Sequence, residues 1–294
     1  MKNVPDPTGQ PSRRPAVAVS AAPPGTASDP GWLTRLFGPL GRYRPGWLRR
    51  DLAAGFHNCD RLTTPHWAHL PDACTPEERL LGDLHLDGKV VFDVGAHTGA
   101  YSLFFSRQVG PQGLVVAFEP CPRTFARLRR NVEINRIRNV RPLALALGRE
   151  TGPRAIYMLP GMSSTASLAP EARTRLRRRV AMVAVEPMDA LCARLSLPAP
   201  DFVKIDVEGL ELEVLAGAEH TLRDCHPDLL IEIHGAGTRG RQDQADRVAT
   251  LLTRLGYRLI HVESQCAVSP GCTAVATAGH LYGHCAPRLA PQPV

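Results

Sequence analysis

Short apolar runs alternate with longer amphipathic stretches along most of the chain. Apolar runs bounded by turn residues predict buried strands, and apolar residues at helical spacing predict helices. The predicted strands lie near 90–94, 114–118, 139–145, 201–206, 228–234, 257–262 and 272–278. The predicted helices lie near 99–109, 122–135, 187–196, 209–222 and 242–255. This alternation predicts an α/β fold with a doubly wound, mostly parallel seven-stranded sheet.

The pattern also divides the chain. Residues 1–30 are rich in Pro and Ala without periodicity, which predicts a disordered N-terminus. Residues 31–86 contain short helical segments and predict a helical extension or lid. Residues 87–280 then form the core domain, and 281–294 form a C-terminal tail.

Residues 151–186 interrupt the regular alternation of the core. We expect an insertion whose Ser-rich turn lies over the mouth of the site. Its polar residues either contact substrate or form an ordinary polar turn, and they are Ser163, Ser164, Thr165 and Ser167.

A glycine loop follows the first predicted strand. The strand stops at Asp93, and the chain turns through Gly95 and Gly99 into a helix. Glycines allow close approach of a ligand and torsions that a side chain forbids. The middle glycine of a dinucleotide fingerprint is missing, and the leading carboxylate would repel a pyrophosphate but can accept an ammonium group. The loop therefore favours S-adenosylmethionine over NAD, with an ordinary strand-to-helix turn as the alternative.

A second carboxylate ends the next strand. Glu119 follows LVVAF, beside the glycine loop, where it can accept hydrogen bonds from two ribose hydroxyls. That is the geometry of the adenosine-binding half of a doubly wound sheet. The predicted cofactor-binding residues are Asp93, Gly95, Ala96, His97, Gly99, Tyr101, Glu119, Pro120 and Asp206.

Ionisable residues also follow two later strands. Alternation puts Lys204, Asp206 and Glu208 on one face of the first strand or its continuation, and it puts Glu232 and His234 together on the second. Strands covered on both faces are normally continuously apolar, and ligands bind at the carboxyl edge of such sheets. These residues therefore indicate a ligand-binding or catalytic site at the carboxyl ends of the two strands. A structural Lys204–acid pair, with His234 capping a loop, is the alternative.

The order of these segments carries a resemblance. The chain resembles the FkbM family of S-adenosylmethionine-dependent methyltransferases over residues 80–257. The segments that carry the resemblance occur in the order seen in that family, and they are DVGAHTG, AFEP, GMSSTASL, DFVKIDVEGLELEVLAGA and LLIEIHG. One departure is His97, where the family more often has Asn. The resemblance implies a Rossmann-like class I methyltransferase with S-adenosylmethionine as its cofactor. It also implies O-methylation of a hydroxyl on a secondary metabolite or sugar.

A hydroxyl acceptor needs a base near the transferred methyl group. His234 has a suitable intrinsic pKa, and Asp206 or Glu208 would serve if partial burial raised theirs. We predict Asp206 and His234 as catalytic residues ahead of Glu208, which can instead cap the next helix. No metal is assigned, although a divalent ion held by Asp206, Glu208 and His234 stays open as an alternative.

The net charge of +7 raises the question of a nucleic-acid partner. The dense basic run at 173–179 is more typical of a solvated helix face, and only Lys204 lies on a late core strand, which disfavours a Lys-Asp-Lys-Glu tetrad. We therefore expect a small-molecule hydroxyl acceptor. An RNA or other nucleic-acid methyltransferase, and a non-catalytic module that binds S-adenosylmethionine and acts through a partner, stay open as alternatives.

The eight cysteines form no C-x-x-C pair. No signal peptide or run of membrane-spanning length accompanies them. We expect reduced thiols in a cytoplasmic protein. The oligomeric state has no signature in the sequence.

Overall fold

The computed structural model describes residues 75–158, 178–235, 237–276 and 279–285. The α-helices are α1 (Pro76–Asp83), α2 (Ala100–Val109), α3 (Pro122–Ile134), α4 (Met188–Leu195), α5 (Glu211–Ala216), α6 (Glu219–Asp224) and α7 (Gly237–Arg254). The strands are β1 (Val90–Val94), β2 (Leu114–Phe118), β3 (Val140–Leu143), β4 (Ala146–Leu147), β5 (Gly152–Met158), β6 (Arg178–Glu186), β7 (Phe202–Ile205), β8 (Asp228–Glu232), β9 (Tyr257–His261), β10 (Cys266–Val268) and β11 (His280–Cys285). The predicted N-terminal segment 1–30 and most of the predicted extension 31–86 lie outside these ranges.

The main sheet has eight strands in the order β10-β9-β11-β8-β7-β1-β2-β3. Strands β3, β2, β1, β7 and β8 are parallel, whereas β11 runs antiparallel to both β8 and β9. The predicted doubly wound, mostly parallel α/β fold is confirmed, with the short strand β10 added at one edge. Because the chain proceeds from β1 to one side and then returns to β7 on the other, the strand order reverses between β1 and β7. Ligands bind at such a switch point.

Alternate residues of the central strands pack on opposite faces of the sheet. Phe92 and Val94 join one apolar cluster with Phe118, while Val91 joins a second cluster with Phe202. All five side chains are buried. Burial on both faces explains why the central strands are almost continuously apolar.

The last predicted strand is placed wrongly by the sequence pattern. Residues Thr273–Ala276 form a 3₁₀ helix that packs on α7, and Val275 is buried there. The strand instead lies at β11, where Leu281 and Gly283 are the buried positions. One apolar side chain and a glycine give little strand signal, whereas the apolar run before them packs as a helical turn. The sheet therefore continues through Cys285, beyond the boundary predicted at residue 280.

A smaller sheet has the order β4-β6-β5, and its strands β5 and β6 lie within the predicted insertion. Strand β6 pairs parallel with β4 and antiparallel with β5. The Ser-rich turn between β5 and β6, with its four predicted polar residues, lies outside the described residues. Within the part of the chain that the structure describes, no helix is both long enough and apolar enough to cross a membrane.

Candidate active site

The glycine loop between β1 and α2 is held between the ends of β2 and β7. Gly95 has a φ of +85°, and a Cβ added there would lie 1.8 Å from the backbone oxygen of Asp206. The backbone N–H groups of Gly95 and Ala96 both donate to the Phe118 carbonyl, at 3.0 and 2.9 Å. Only glycine fits this position, because both the torsion and the close approach exclude a side chain. The loop is thereby in direct contact with the turn that follows β7.

Glu119 lies beside this loop, as the sequence predicts. One carboxylate oxygen, Oε2, accepts a hydrogen bond from the His97 backbone N–H at 2.8 Å. The other, Oε1, accepts from the Cys121 N–H at 2.8 Å and from Thr124 Oγ1 at 2.7 Å. Burial raises the pKa of Glu119 to about 7, although the three hydrogen bonds oppose the rise. A carboxylate has about four acceptor positions, so two ribose hydroxyls would have to share or displace one protein donor.

His97 adopts a left-handed conformation with a φ of +51°. This region is costly for most side chains and is occupied most readily by Gly and Asn. The conformation turns the His97 backbone N–H toward Glu119. The glycine loop and the Glu119 carboxylate are thus one hydrogen-bonded unit.

Asp93, the last polar position of β1, is completely buried. Its Oδ2 accepts a hydrogen bond from Ser102 Oγ at 2.5 Å, while Oδ1 has no hydrogen-bond partner among the described residues. Burial raises the pKa of Asp93, and the neighbouring Lys204 opposes the rise. Buried polar atoms are nearly always hydrogen-bonded, so the unpartnered oxygen is suited to a donor group of a bound ligand.

Asp206 follows β7 directly, and its backbone N–H donates to the Val94 carbonyl at 3.0 Å. Its Oδ2 pairs with the buried Lys204 Nζ at 3.0 Å. The same Nζ lies 4.4 Å from the centre of the Tyr101 ring. Burial favours a higher pKa for the Asp206 carboxyl, but the charge and hydrogen bond of Lys204 together with the charges of His234 and His280 outweigh it, and the pKa is lowered. Asp206 is therefore held as a carboxylate.

His234 lies two residues beyond the end of β8, with its two ring nitrogens in different surroundings. Nδ1 is 2.8 Å from Oε1 of Glu211, a completely buried carboxylate. Nε2 lies 4.0 Å from Asp206 Oδ1 and 3.5 Å from Glu232 Oε1. Burial opposes protonation, but the hydrogen bond to Glu211 and the charges of the three carboxylates raise the pKa of His234 to about 9.

A second histidine extends the cluster. His280 Nδ1 pairs with Glu263 at 2.5 Å, and its Nε2 lies 3.7 Å from Glu77 and 3.8 Å from Glu232. Glu77 belongs to α1 and also accepts a hydrogen bond from the Tyr101 hydroxyl at 2.9 Å. The end of the predicted extension thus contributes a carboxylate to the edge of the sheet that carries His234.

The structure brings Asp206 and His234 together, and Glu232 joins them. Strand β7 ends at Ile205, and the chain then turns, with φ values of +54° at Glu208 and +100° at Gly209. Among the described residues, the group whose ligand atoms approach one another within 4.8 Å contains Glu232 in place of Glu208. The catalytic role of Glu208 stays a prediction. The sequence pattern places Glu232 beside His234 without predicting a role for it, and it contains no signal for Glu211.

Comparison with known proteins identifies the family of the chain. The family described as "Methyltransferase FkbM domain" matches residues 93–259. The hexuronic acid methyltransferase AglP of Haloferax volcanii is 31% identical over 157 residues, covering 53% of this chain and 60% of the relative. The 31-O-demethyl-FK506 methyltransferase FkbM of Streptomyces tacrolimicus is 32% identical over 158 residues, covering 45% and 60%.

Two further proteins are also similar to this chain. Methyltransferase 1 of Beauveria bassiana is 28% identical over 163 residues, covering 50% of this chain and 65% of the relative. The crystal structure of an FkbM methyltransferase from Methylobacillus flagellatus aligns with a TM-score of 0.46 at 19% identity, over 72% of this chain and 51% of that one. The chain thus spans 60% to 65% of the length of the three curated relatives. Because the family match covers more than half of it, the chain belongs to the FkbM methyltransferase family, whose methyl donor is S-adenosylmethionine.

Proposed function

We propose that this protein transfers the methyl group of S-adenosylmethionine to a hydroxyl oxygen of a small molecule, either a secondary metabolite or a sugar. The observation that carries the proposal is the close approach of Gly95 to the Asp206 backbone. Because of this contact, the predicted cofactor loop and the Asp206–His234 pair belong to a single site. The methyl group of a cofactor bound at the loop would face Asp206 and His234.

The residues of the first half would bind the cofactor. Glu119 would accept hydrogen bonds from the ribose, and the unpartnered Asp93 Oδ1 fits an amino-acid ammonium group. When bound, S-adenosylmethionine supplies an activated methyl group that leaves its sulfur by in-line displacement. The protein's task is to align the acceptor oxygen with that methyl group and to exclude water.

The residues of the second half would activate the acceptor. Because its pKa is raised to about 9, His234 would act as the base in its neutral fraction, which grows as the pH rises toward 9. In that form Nε2 can take the hydroxyl proton, and Glu211 at Nδ1 would stabilise the imidazolium that forms. Asp206, fixed by Lys204, would orient the hydroxyl or hold the positive charge near it. General-base groups in such positions typically contribute a factor of about 10² to 10⁴ in rate.

The negative charges around His234 and His280 support a small-molecule acceptor over a nucleic acid. The carboxylates of Glu77, Asp206, Glu232 and Glu263 surround the two histidines. A phosphodiester backbone would meet these negative charges, whereas a polyhydroxylated molecule can donate hydrogen bonds to them. Relatives named for a hexuronic acid and for 31-O-demethyl-FK506 also support an oxygen acceptor.

The test is a turnover assay with S-adenosylmethionine and a panel of hexuronic acids, neutral sugars and hydroxylated metabolites. S-adenosylhomocysteine formation is measured together with the mass and methyl position of the product. We expect an O-methylated product, and a kcat lowered by at least about 100-fold in Asp206→Asn and in His234→Gln. Binding of S-adenosylhomocysteine by His234→Gln should stay within about twofold of wild type.

His220→Gln is the matched control, because His220 is an exposed histidine that pairs with Asp189 away from the site. Its turnover should equal that of the wild type. A product methylated on nitrogen or carbon would overturn the proposed reaction. Unchanged turnover in both site variants would remove Asp206 and His234 from it.

A further inference from the structure

We propose that Asp206, Glu232 and His234 bind a divalent metal ion at the carboxyl ends of β7 and β8. Their ligand atoms, one from each side chain, lie within 4.8 Å of one another. His234 Nε2 is 3.5 Å from Glu232 Oε1 and 4.0 Å from Asp206 Oδ1, so it makes no hydrogen bond with either. Atoms that bind one ion at about 2.1 Å and at right angles are about 3 Å apart. Small side-chain rotations would bring all three onto one ion.

The orientation of the His234 ring is fixed by the buried carboxylate of Glu211. Glu211 is completely buried and accepts hydrogen bonds from the Gly209 N–H at 3.0 Å and from Gln244 Nε2 at 2.9 Å. It holds Nδ1 of His234 at 2.8 Å, which leaves Nε2 directed toward the two carboxylates. Metal-binding histidines almost always have a carboxylate or carbonyl at their other ring nitrogen. A carboxylate fixed so firmly in the interior therefore favours a ligand role for this ring.

The two carboxylates each leave one oxygen for a cation. Lys204 takes Oδ2 of Asp206, so Oδ1 faces His234. The ion pairs of Glu232 among the described residues are those with His234 and His280, at 3.5 and 3.8 Å. Both distances exceed the length of about 2.8 Å expected of a charge-assisted hydrogen bond. Two negative groups that face one imidazole nitrogen across such a gap suit a divalent ion.

This ligand set differs from the alternative that the sequence leaves open. Glu208 is replaced by Glu232, because the chain turns away from the strand direction after Ile205. Two carboxylate oxygens and one imidazole nitrogen suit Mn²⁺, Mg²⁺ or Zn²⁺ and leave positions for other ligands. If the proposed function holds, those positions would take the acceptor hydroxyl and a neighbouring oxygen. With the ion bound, the lone pair of His234 Nε2 is occupied, so the ion, as a Lewis acid that lowers the pKa of the hydroxyl, would activate the acceptor in place of the histidine base. Binding of the ion itself does not depend on that function.

The experiment measures metal binding directly. The full chain is treated with EDTA, desalted and titrated with MnCl₂ by calorimetry, while free Mn²⁺ is followed by electron paramagnetic resonance, with and without S-adenosylhomocysteine. We expect one saturable site. Glu232→Gln and His234→Ala should weaken it by at least tenfold, whereas Glu208→Gln, the matched carboxylate control, should bind Mn²⁺ within twofold of wild type.

The Glu232 side chain is 38% exposed and makes no hydrogen bond among the described residues, so its substitution should leave the fold intact. Retained S-adenosylhomocysteine binding by Glu232→Gln checks this. Absence of saturable Mn²⁺ binding by the wild type would overturn the proposal, and so would unchanged affinity in Glu232→Gln. Equal losses in Glu208→Gln and Glu232→Gln would overturn the ligand set. If metal binding fails while methyl transfer persists, only the metal site is rejected and the proposed function stands.

Discussion

The two halves of the site contain carboxylates in opposite situations. On the side of the glycine loop, Asp93 and Glu119 are buried, and Glu119 accepts three hydrogen bonds from protein donors at 2.7 to 2.8 Å. On the side of His234, Glu232 is 38% exposed and its ion pairs are 3.5 Å or longer. The first half is therefore preorganised by the fold itself. In the second, protein contacts fix His234 and Asp206 but leave Glu232 without a close partner among the described residues.

This difference suits a methyl transfer in which the donor is always S-adenosylmethionine, whereas the acceptor differs from one enzyme to another. Preorganised hydrogen bonds fix the loop that would hold the cofactor, and they need no rearrangement at the moment of reaction. The long ion pairs of Glu232 with His234 and His280 leave its carboxylate able to move toward a cation or a polyhydroxylated ligand. Substitutions should consequently damage the first half through stability and cofactor binding, and the second half through chemistry.

The largest effect is expected for Gly95→Ala. The added Cβ would lie 1.8 Å from the Asp206 backbone oxygen, which cannot rotate away. We expect a loss of at least about 3 kcal/mol in the free energy of unfolding, and no measurable binding of S-adenosylhomocysteine in calorimetry. Gly88→Ala is the control, because Gly88 also has a positive φ, +71°, but no atom lies within 4 Å of its added Cβ. It should cost only about 1 kcal/mol, for the torsion alone. Equal costs would refute the close approach.

The next largest effect is the dependence of stability on the pH, which arises from Glu119. Glu119 has an ordinary pKa of 4.5 that burial raises to about 7, so the native state holds this proton more tightly than the unfolded chain. Its contribution to stability is fully present below about pH 4.5 and is lost as the pH rises through 7. Urea unfolding at pH 5 and pH 8 should show the wild type losing about 2 kcal/mol relative to Glu119→Gln. A difference between the two proteins that does not change with pH would contradict the buried carboxylate.

The same contrast explains what the sequence could predict. The glycine loop and Glu119 follow contiguous strands, so strand pattern and spacing located them without three-dimensional information. Asp206 and His234 were found because ionisable residues interrupt strands that are otherwise apolar. Glu208 was grouped with them by extending the alternation past the end of β7, where the backbone turns instead.

Other parts of the acceptor side could not be predicted. Glu77, Glu263 and His280 come from three separate elements that meet only in the folded sheet. Locating His280 also required the correct last strand, whose buried positions are one leucine and one glycine. Glu211 begins a short helix in the sequence ELE, which is typical of a solvated first turn, yet its side chain is completely buried. Burial of a charged helix residue follows from tertiary packing, which periodicity does not report.

A smaller effect is expected for the affinity of Glu119→Ala for S-adenosylhomocysteine. Glu119→Ala removes the carboxylate that holds the His97 backbone and would face the ribose. We expect calorimetry to show S-adenosylhomocysteine binding weakened by at least about tenfold, or 1.4 kcal/mol. NAD should not bind to either protein. Unaltered affinity for S-adenosylhomocysteine would mean that the cofactor binds elsewhere.

The smallest effect is expected for the stability of Glu232→Gln in the presence of EDTA. The wild-type side chain is partly exposed, and its pairs with His234 and His280 are long, so little attraction is lost. The substitution also relieves repulsion from Asp206, which raises the pKa of Glu232 in addition to the effect of burial. These terms oppose each other, so the free energy of unfolding should change by less than about 0.5 kcal/mol. A loss of several kcal/mol would show that Glu232 is part of the preorganised structure, and the contrast between the two halves would then fail.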